Sequence, residues 1–259
     1  RTAVLSLPTR FMSSPNGSTG STPLLLKCMS PVDVDQTCAR DPRLIVPVGT
    51  CDQHGPHLPI GTATIIAERL ADALSARYQV LRAPALEYGV NISTERTFSG
   101  NSSLRKKTLH RALNDLIASW ESTGFREFIF LSAHDHDPHQ EAIETAFALE
   151  GRIRAVDVFA VNISDLLEGQ REHMHGGEAD TSLMLYLAPE LVQMDRAQDY
   201  MMSREALRRY RRGWLRVPRG SPGSIGRPTL ASAEKGEAIF TRMLDRIAER
   251  IFLTAAPDE

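Results

Sequence analysis

The sequence predicts an α/β fold: one three-layer α/β/α domain built around a mostly parallel central sheet. Three observations predict it. The chain has 259 residues, enough for one large buried core and short for two. From Arg43 onward, short apolar runs alternate with longer segments of helical periodicity. The composition, 42% hydrophobic and 24% charged, is ordinary for a soluble globular protein. No apolar run approaches the roughly 20 residues needed to cross a bilayer, so no membrane partner is expected.

Residues 1–40 read as a flexible N-terminal extension, and 41–259 as the domain. The first thirty residues contain no Asp or Glu, and 13–23 form a Ser-, Gly- and Pro-rich tract. That composition is also seen in organelle transit peptides, but no amphipathic helix accompanies it, which favours a plain tail. The domain then runs as an apolar strand at 44–48, a helix over 64–77, a strand at 79–83, a helix over 104–121 and a strand at 127–132. A helix over 140–150, a strand at 153–161 and a helix from Glu178 to about Pro189 follow. The last helix, 232–252, carries Ile239, Met243, Ile247 and Ile251 at helical spacing and should pack on the sheet. Right-handed crossovers between such strands give a parallel sheet covered on both faces.

With 30 basic and 32 acidic residues the formal charge is −2, so no global field draws in nucleic acid. A small neutral or zwitterionic partner fits better. Cys28, Cys38 and Cys51 show no paired spacing, which suits free thiols in a reducing, cytoplasmic compartment. Residues 204–219 hold seven arginines. They read as a solvated helix face or a contact between subunits, with an anionic group on a substrate as the alternative.

Seven of the eight histidines fall in three windows: His54 and His57; His134, His136 and His139; His173 and His175. Each window follows a predicted strand or precedes a helix. Loops at the carboxyl ends of parallel strands converge on one crevice, so distant windows can share a site. Neutral imidazole and carboxylate together are the donors that bind Zn²⁺, Mn²⁺ or Fe²⁺ and leave positions open for water. Asp52 and His54, two apart in extended chain, point the same way and can serve one metal or two.

The first window, Gly49-Thr50-Cys51-Asp52-Gln53-His54-Gly55-Pro56-His57-Leu58-Pro59-Ile60-Gly61-Thr62, resembles the creatininase signature Gly-Ser-x-Glu-Gln-His-Gly-Pro-His-Leu-Pro-x-Gly-Thr-Asp. Ser132-Ala133-His134 follows a strand where that family has Asn-Gly-His. His175-Gly176-Gly177-Glu178-Ala179-Asp180-Thr181-Ser182 is similar to its His-Ala-Gly-Glu-x-Glu-Thr-Ser, and Phe98-Ser99-Gly100-Asn101 matches Phe-Pro-Gly-Thr more loosely. The resemblance spans about 43–192, in the family's order.

It implies a creatininase-like α/β fold, assembly as a homo-oligomer such as a hexamer, and one or two Zn, Mn or Fe ions per subunit. The implied reaction is hydrolysis of a non-peptide or cyclic amide C–N bond of a small molecule. Carried over, Asp52, His54 and His134 stand at metal-ligand positions. His175 and Glu178 stand at the late motif that handles proton transfer, with Glu178 also in the metal environment. His136 falls where some members carry a second carboxylate ligand, and is either a ligand or an exposed neighbour. His57 and His139 are expected behind the ligands.

One departure matters most. Ala63 takes the place of the aspartate that commonly bridges two metals. That opens an alternative: a catalytically impaired or inactive member serving as a ligand-binding or oligomeric protein.

Overall fold

The computed structural model describes residues 21–92, 98–169, 171–212 and 220–253. The elements in chain order are β1 (Leu24–Leu25), α1 (Pro31–Arg40), β2 (Arg43–Val48), α2 (Thr62–Tyr78), β3 (Leu81–Arg82) and α3 (Lys106–Ser122). They continue with β4 (Glu127–Ser132), α4 (Asp137–Glu144), β5 (Arg152–Asp157), α5 (Glu178–Leu187), α6 (Arg204–Arg211) and α7 (Ala233–Ile251).

The five strands form one sheet in the order β1-β3-β2-β4-β5, and every pairing is parallel. Alternating side chains of the central strands feed two cores. Ile45 of β2 and Ile129 and Leu131 of β4 pack with α2, α5 and α7 on one face. Leu44, Val46 and Val48 of β2, with Phe128 and Phe130 of β4, pack with α3 and α4 on the other. The architecture is therefore the expected three layers.

Residues 21–40 are part of this domain and correct the expected extension. β1 pairs with β3 at the sheet edge, and α1 follows with Ser30 capping its N-terminus and Pro31 at the first helical position. The segment is inconspicuous in sequence because α1 buries only Thr37 and Cys38. Residues 1–20 lie outside the described residues. The helix expected over 140–150 is α4, which starts earlier and stops at Glu144. The strand expected at 153–161 ends at Asp157 and turns into a short 3-10 helix.

Chain order positions the site. β2 connects towards β3 on one side and β4 towards β5 on the other, so a crevice opens beyond the carboxyl ends of β2 and β4. The two strands end level, Val48 opposite Ser132. Gly49 then passes so close to α2 that a Cβ there would lie 2.6 Å from the Thr64 Cα. Only a hydrogen fits.

Helices α5 and α7 pack against each other beneath this end of the sheet. Gly236 allows their approach, since a Cβ would stand 1.9 Å from the Ser182 carbonyl oxygen. The interior glycine costs about 1 kcal/mol of helix propensity, yet replacing it costs more, because backbone must move. We expect Gly236→Ala to lower stability by about 1 to 3 kcal/mol, read as a fall in the urea unfolding midpoint. An unchanged midpoint would refute the close approach.

Candidate metal and active site

The loop after β2 brings Asp52, His54 and His57 into the crevice, all buried. Asp52 Oδ1 accepts from the Gln53 N–H at 3.0 Å and from Asn101 Nδ2 at 2.9 Å. His54 Nδ1 donates to the Asp52 carbonyl at 3.0 Å, which leaves the lone pair on Nε2. Burial, then the neighbouring His175, pushes the His54 pKa down to about 3. The ring is neutral.

The loop after β4 supplies His134, whose Nε2 donates to the Val90 carbonyl at 3.1 Å, leaving the lone pair on Nδ1. Burial and then the adjoining His139 hold it well below the usual histidine range. His139 accepts the Val90 N–H on Nδ1 at 3.1 Å and meets Ser132 Oγ through Nε2 at 3.1 Å. Both its nitrogens are used by the protein. Val90 thus grips two histidines, His139 through its N–H and His134 through its C=O. His57 Nε2 lies 2.9 Å from Thr181 Oγ1.

His136 is half-buried at the N-terminus of α4, its ring centre 6.0 Å from that of His134. Burial lowers its pKa. His175 Nε2 meets the Gln53 carbonyl, and its ring centre is 4.3 Å from that of His54. The structure thus sets His54 beside His175 and His134 beside His136, with Asp52 buried in the same loop as His54.

Glu178 is different. It is fully buried, but Oε1 accepts from the Glu168 N–H at 2.9 Å and from Lys235 Nζ at 2.7 Å, while Oε2 accepts from the Gly169 N–H at 2.7 Å. Burial alone would raise its pKa; these donors bring it below the usual value. The expectation that Glu178 binds metal and moves protons gives way to a structural anchor, because both oxygens are committed.

The carboxylate that turns towards the histidines is Asp180. It accepts from the Gly176 N–H at 2.8 Å and holds His173 Nε2 at 2.8 Å. His173 also stacks on Phe159, with ring centres 3.6 Å apart. Burial would depress the His173 pKa, but Asp180 and Asp135 overcome it and lift it to about 10. Asp180 was not among the expected site residues, although its place in the late motif was the available signal. Gln53 and Asn101 were also missed as site-shaping residues. Gln53 Nε2 donates to the Gly223 carbonyl at 3.0 Å, tying the first loop to a distant one.

A family model for creatininase, described as creatinine amidohydrolase, matches residues 28–251. The chain belongs to the creatininase family. A mycofactocin precursor peptide peptidase of Mycobacterium ulcerans is 30% identical over 234 residues, covering 84% of this chain and 88% of that one. The creatinine amidohydrolase of Pseudomonas putida is 26% identical over 239 residues, covering 83% and 91%. Among solved structures, a single-site mutant creatininase aligns with a TM-score of 0.75 at 25% identity, over 88% of this chain and 97% of that one. Creatininase-family proteins are hydrolases, and this chain is a hydrolase by membership.

Whether the creatininase-type site suits a divalent metal is decided by its donors. His54 and His134 each tie one ring nitrogen to a backbone carbonyl and keep the other lone pair, the arrangement that orients ligating histidines. Burial keeps both neutral, as ligation requires. That half fits. Ala63, by contrast, is fully buried in the apolar cluster of α2 and offers no donor. Among the described residues no three His, Cys, Asp or Glu side chains stand together as a metal cage. No helix among the described residues is long and apolar enough to cross a membrane.

Proposed function

We propose that the protein is a metal-dependent amidohydrolase that cleaves a non-peptide or cyclic amide C–N bond. The observation that carries this is the pair of buried, neutral histidines, His54 and His134, each oriented by a backbone carbonyl. Asp52, His54 and His134 would hold one Zn, Mn or Fe ion, with His136 as a further donor; the second ion of a bridged pair is disfavoured by Ala63. A divalent metal, when bound, polarises the amide carbonyl and lowers the pKa of water. His175 stands beside His54 and holds the proton for the departing nitrogen on Nδ1, while Nε2 stays on the Gln53 carbonyl. Asn101 and Gln53 keep Asp52 in place. In this reading the enzyme is a cytoplasmic homo-oligomer, for which the exposed Phe147 and Leu149 offer apolar contact surface.

The apolar burial of Ala63 favours a second reading, an inactive member that keeps the fold to bind ligands. Metal analysis of protein prepared without chelator, with a panel of cyclic ureides, lactams and formamides, separates the two. Bound metal and turnover of at least one amide are expected. Absence of Zn, Mn and Fe with no rescue on adding them ends the first reading, and turnover only in the Ala63→Asp variant establishes the second.

A further inference from the structure

A cavity of about 960 Å³ opens beside His136, within the range of small-molecule sites of roughly 300 to 1,000 Å³. Its lining carries both charges. Asp135 and Asp137 flank His136 in the lining, Glu172 adds a third carboxylate, and Arg204, Arg208 and Arg212 supply positive charge. Arg204 and Arg208 stand four residues apart on α6 and share one face of that helix, and Arg212 follows at its C-cap. Packing sets which face. Leu207 and Tyr210 bury against Ile92, Ile225, Met174 and Met202, which fixes α6 on the body of the protein and leaves the arginine stripe along the cavity. Arg171 joins from the 171–174 loop. Arg171, Arg204 and Arg208 enter no ion pair among the described residues. Asp135, Asp137 and Glu172 also line the cavity, but none of them pairs with these three arginines, whose planar forks match a carboxylate.

We infer that this cavity is the substrate subsite for a terminal carboxylate, and that the substrate is an amide carrying that carboxylate at one end. The amide lies beside His136 and the carboxylate on Arg204 and Arg208, with Met174 and Leu207 giving the same cavity an apolar lining. This rests on the hydrolytic reading of the same site for the reaction, but the carboxylate subsite stands on its own residues.

Two measurements test it. In the first, succinate binding to the purified protein is followed by calorimetry, for the wild type, Arg204→Gln/Arg208→Gln and Arg208→Lys. Saturable, salt-sensitive binding is expected, weakened about tenfold or more in the double Gln variant, as loss of charged hydrogen bonds implies, and less in the Lys variant. Succinate binding equal in wild type and double variant overturns the inference. In the second, N-acyl amino acids are compared with the same compounds capped as carboxamides. A lower KM for the carboxylate, narrowing towards the carboxamide in the double variant, supports it; no preference in the wild type overturns it. If neither compound is hydrolysed while succinate binding behaves as expected, the subsite stands and the hydrolase reading falls.

Discussion

Replacing His134 with Gln is expected to strip the metal and cut turnover by more than about 100-fold, because groups that merely orient a ligand already cost about 10- to 100-fold when removed. Gln is the informative choice. Its amide can still donate to the Val90 carbonyl that His134 Nε2 now reaches at 3.1 Å, so the loop keeps its hydrogen bond while the imidazole lone pair is lost. His54→Gln should behave in the same way, since only its Nε2 is left over after Nδ1 meets the Asp52 carbonyl. His139→Gln is the contrast: both its nitrogens already serve Val90 and Ser132, so its first effect should be on stability. Metal content by mass spectrometry and the unfolding midpoint, measured on all three, make the comparison. Full metal occupancy and rate in His134→Gln would remove that residue from the ligand set.

Acid should unfold the protein well above the pH at which its carboxylates titrate. His54, His57 and His139 are buried, and burial lowers their pKa values to about 3, 4 and 3. An unfolded histidine titrates near 6.5. Below 6.5 the unfolded chain therefore binds more protons than the folded one, and stability falls with pH towards those depressed values. By pH 5 each of the three contributes a loss of about 2 kcal/mol, which together is comparable to the whole stability of many domains, about 5 to 15 kcal/mol. His173 works in the opposite sense. Its pKa is raised to about 10, so its contribution is complete below 6.5 and declines as pH rises from there towards 10. Urea unfolding from pH 4.5 to 9.5 should show a maximum near neutrality with the steeper fall on the acid side. A flat profile from 7 down to 5 would show that these rings are not held neutral.

Much of the fold was legible because its elements carry strong local patterns. β4 falls where the apolar run places it, and α7 follows its stripe of Ile239, Met243, Ile247 and Ile251, all buried. β1 and α1 were not legible. A two-residue strand is defined by its partner β3, and α1 is mostly polar. The candidate site was legible in its histidines, since three clustered windows after strands must converge at one end of a parallel sheet. Its carboxylates were not. Glu178 and Asp180 are two residues apart at the start of one helix, and nothing local says which of them faces the histidines.

The sequence by itself determined the layered parallel fold and the family, because periodicity and motif order depend on near neighbours in the chain. The tertiary structure alone decided that Lys235 and the 168–169 backbone claim Glu178, that Asp180 takes His173, that Val90 aims two histidines, and that the arginines of α6 border the cavity. Each of these depends on a partner remote in sequence. A buried polar group is spoken for by whatever donor or acceptor packing brings within about 3 Å, and that identity is written in no single segment.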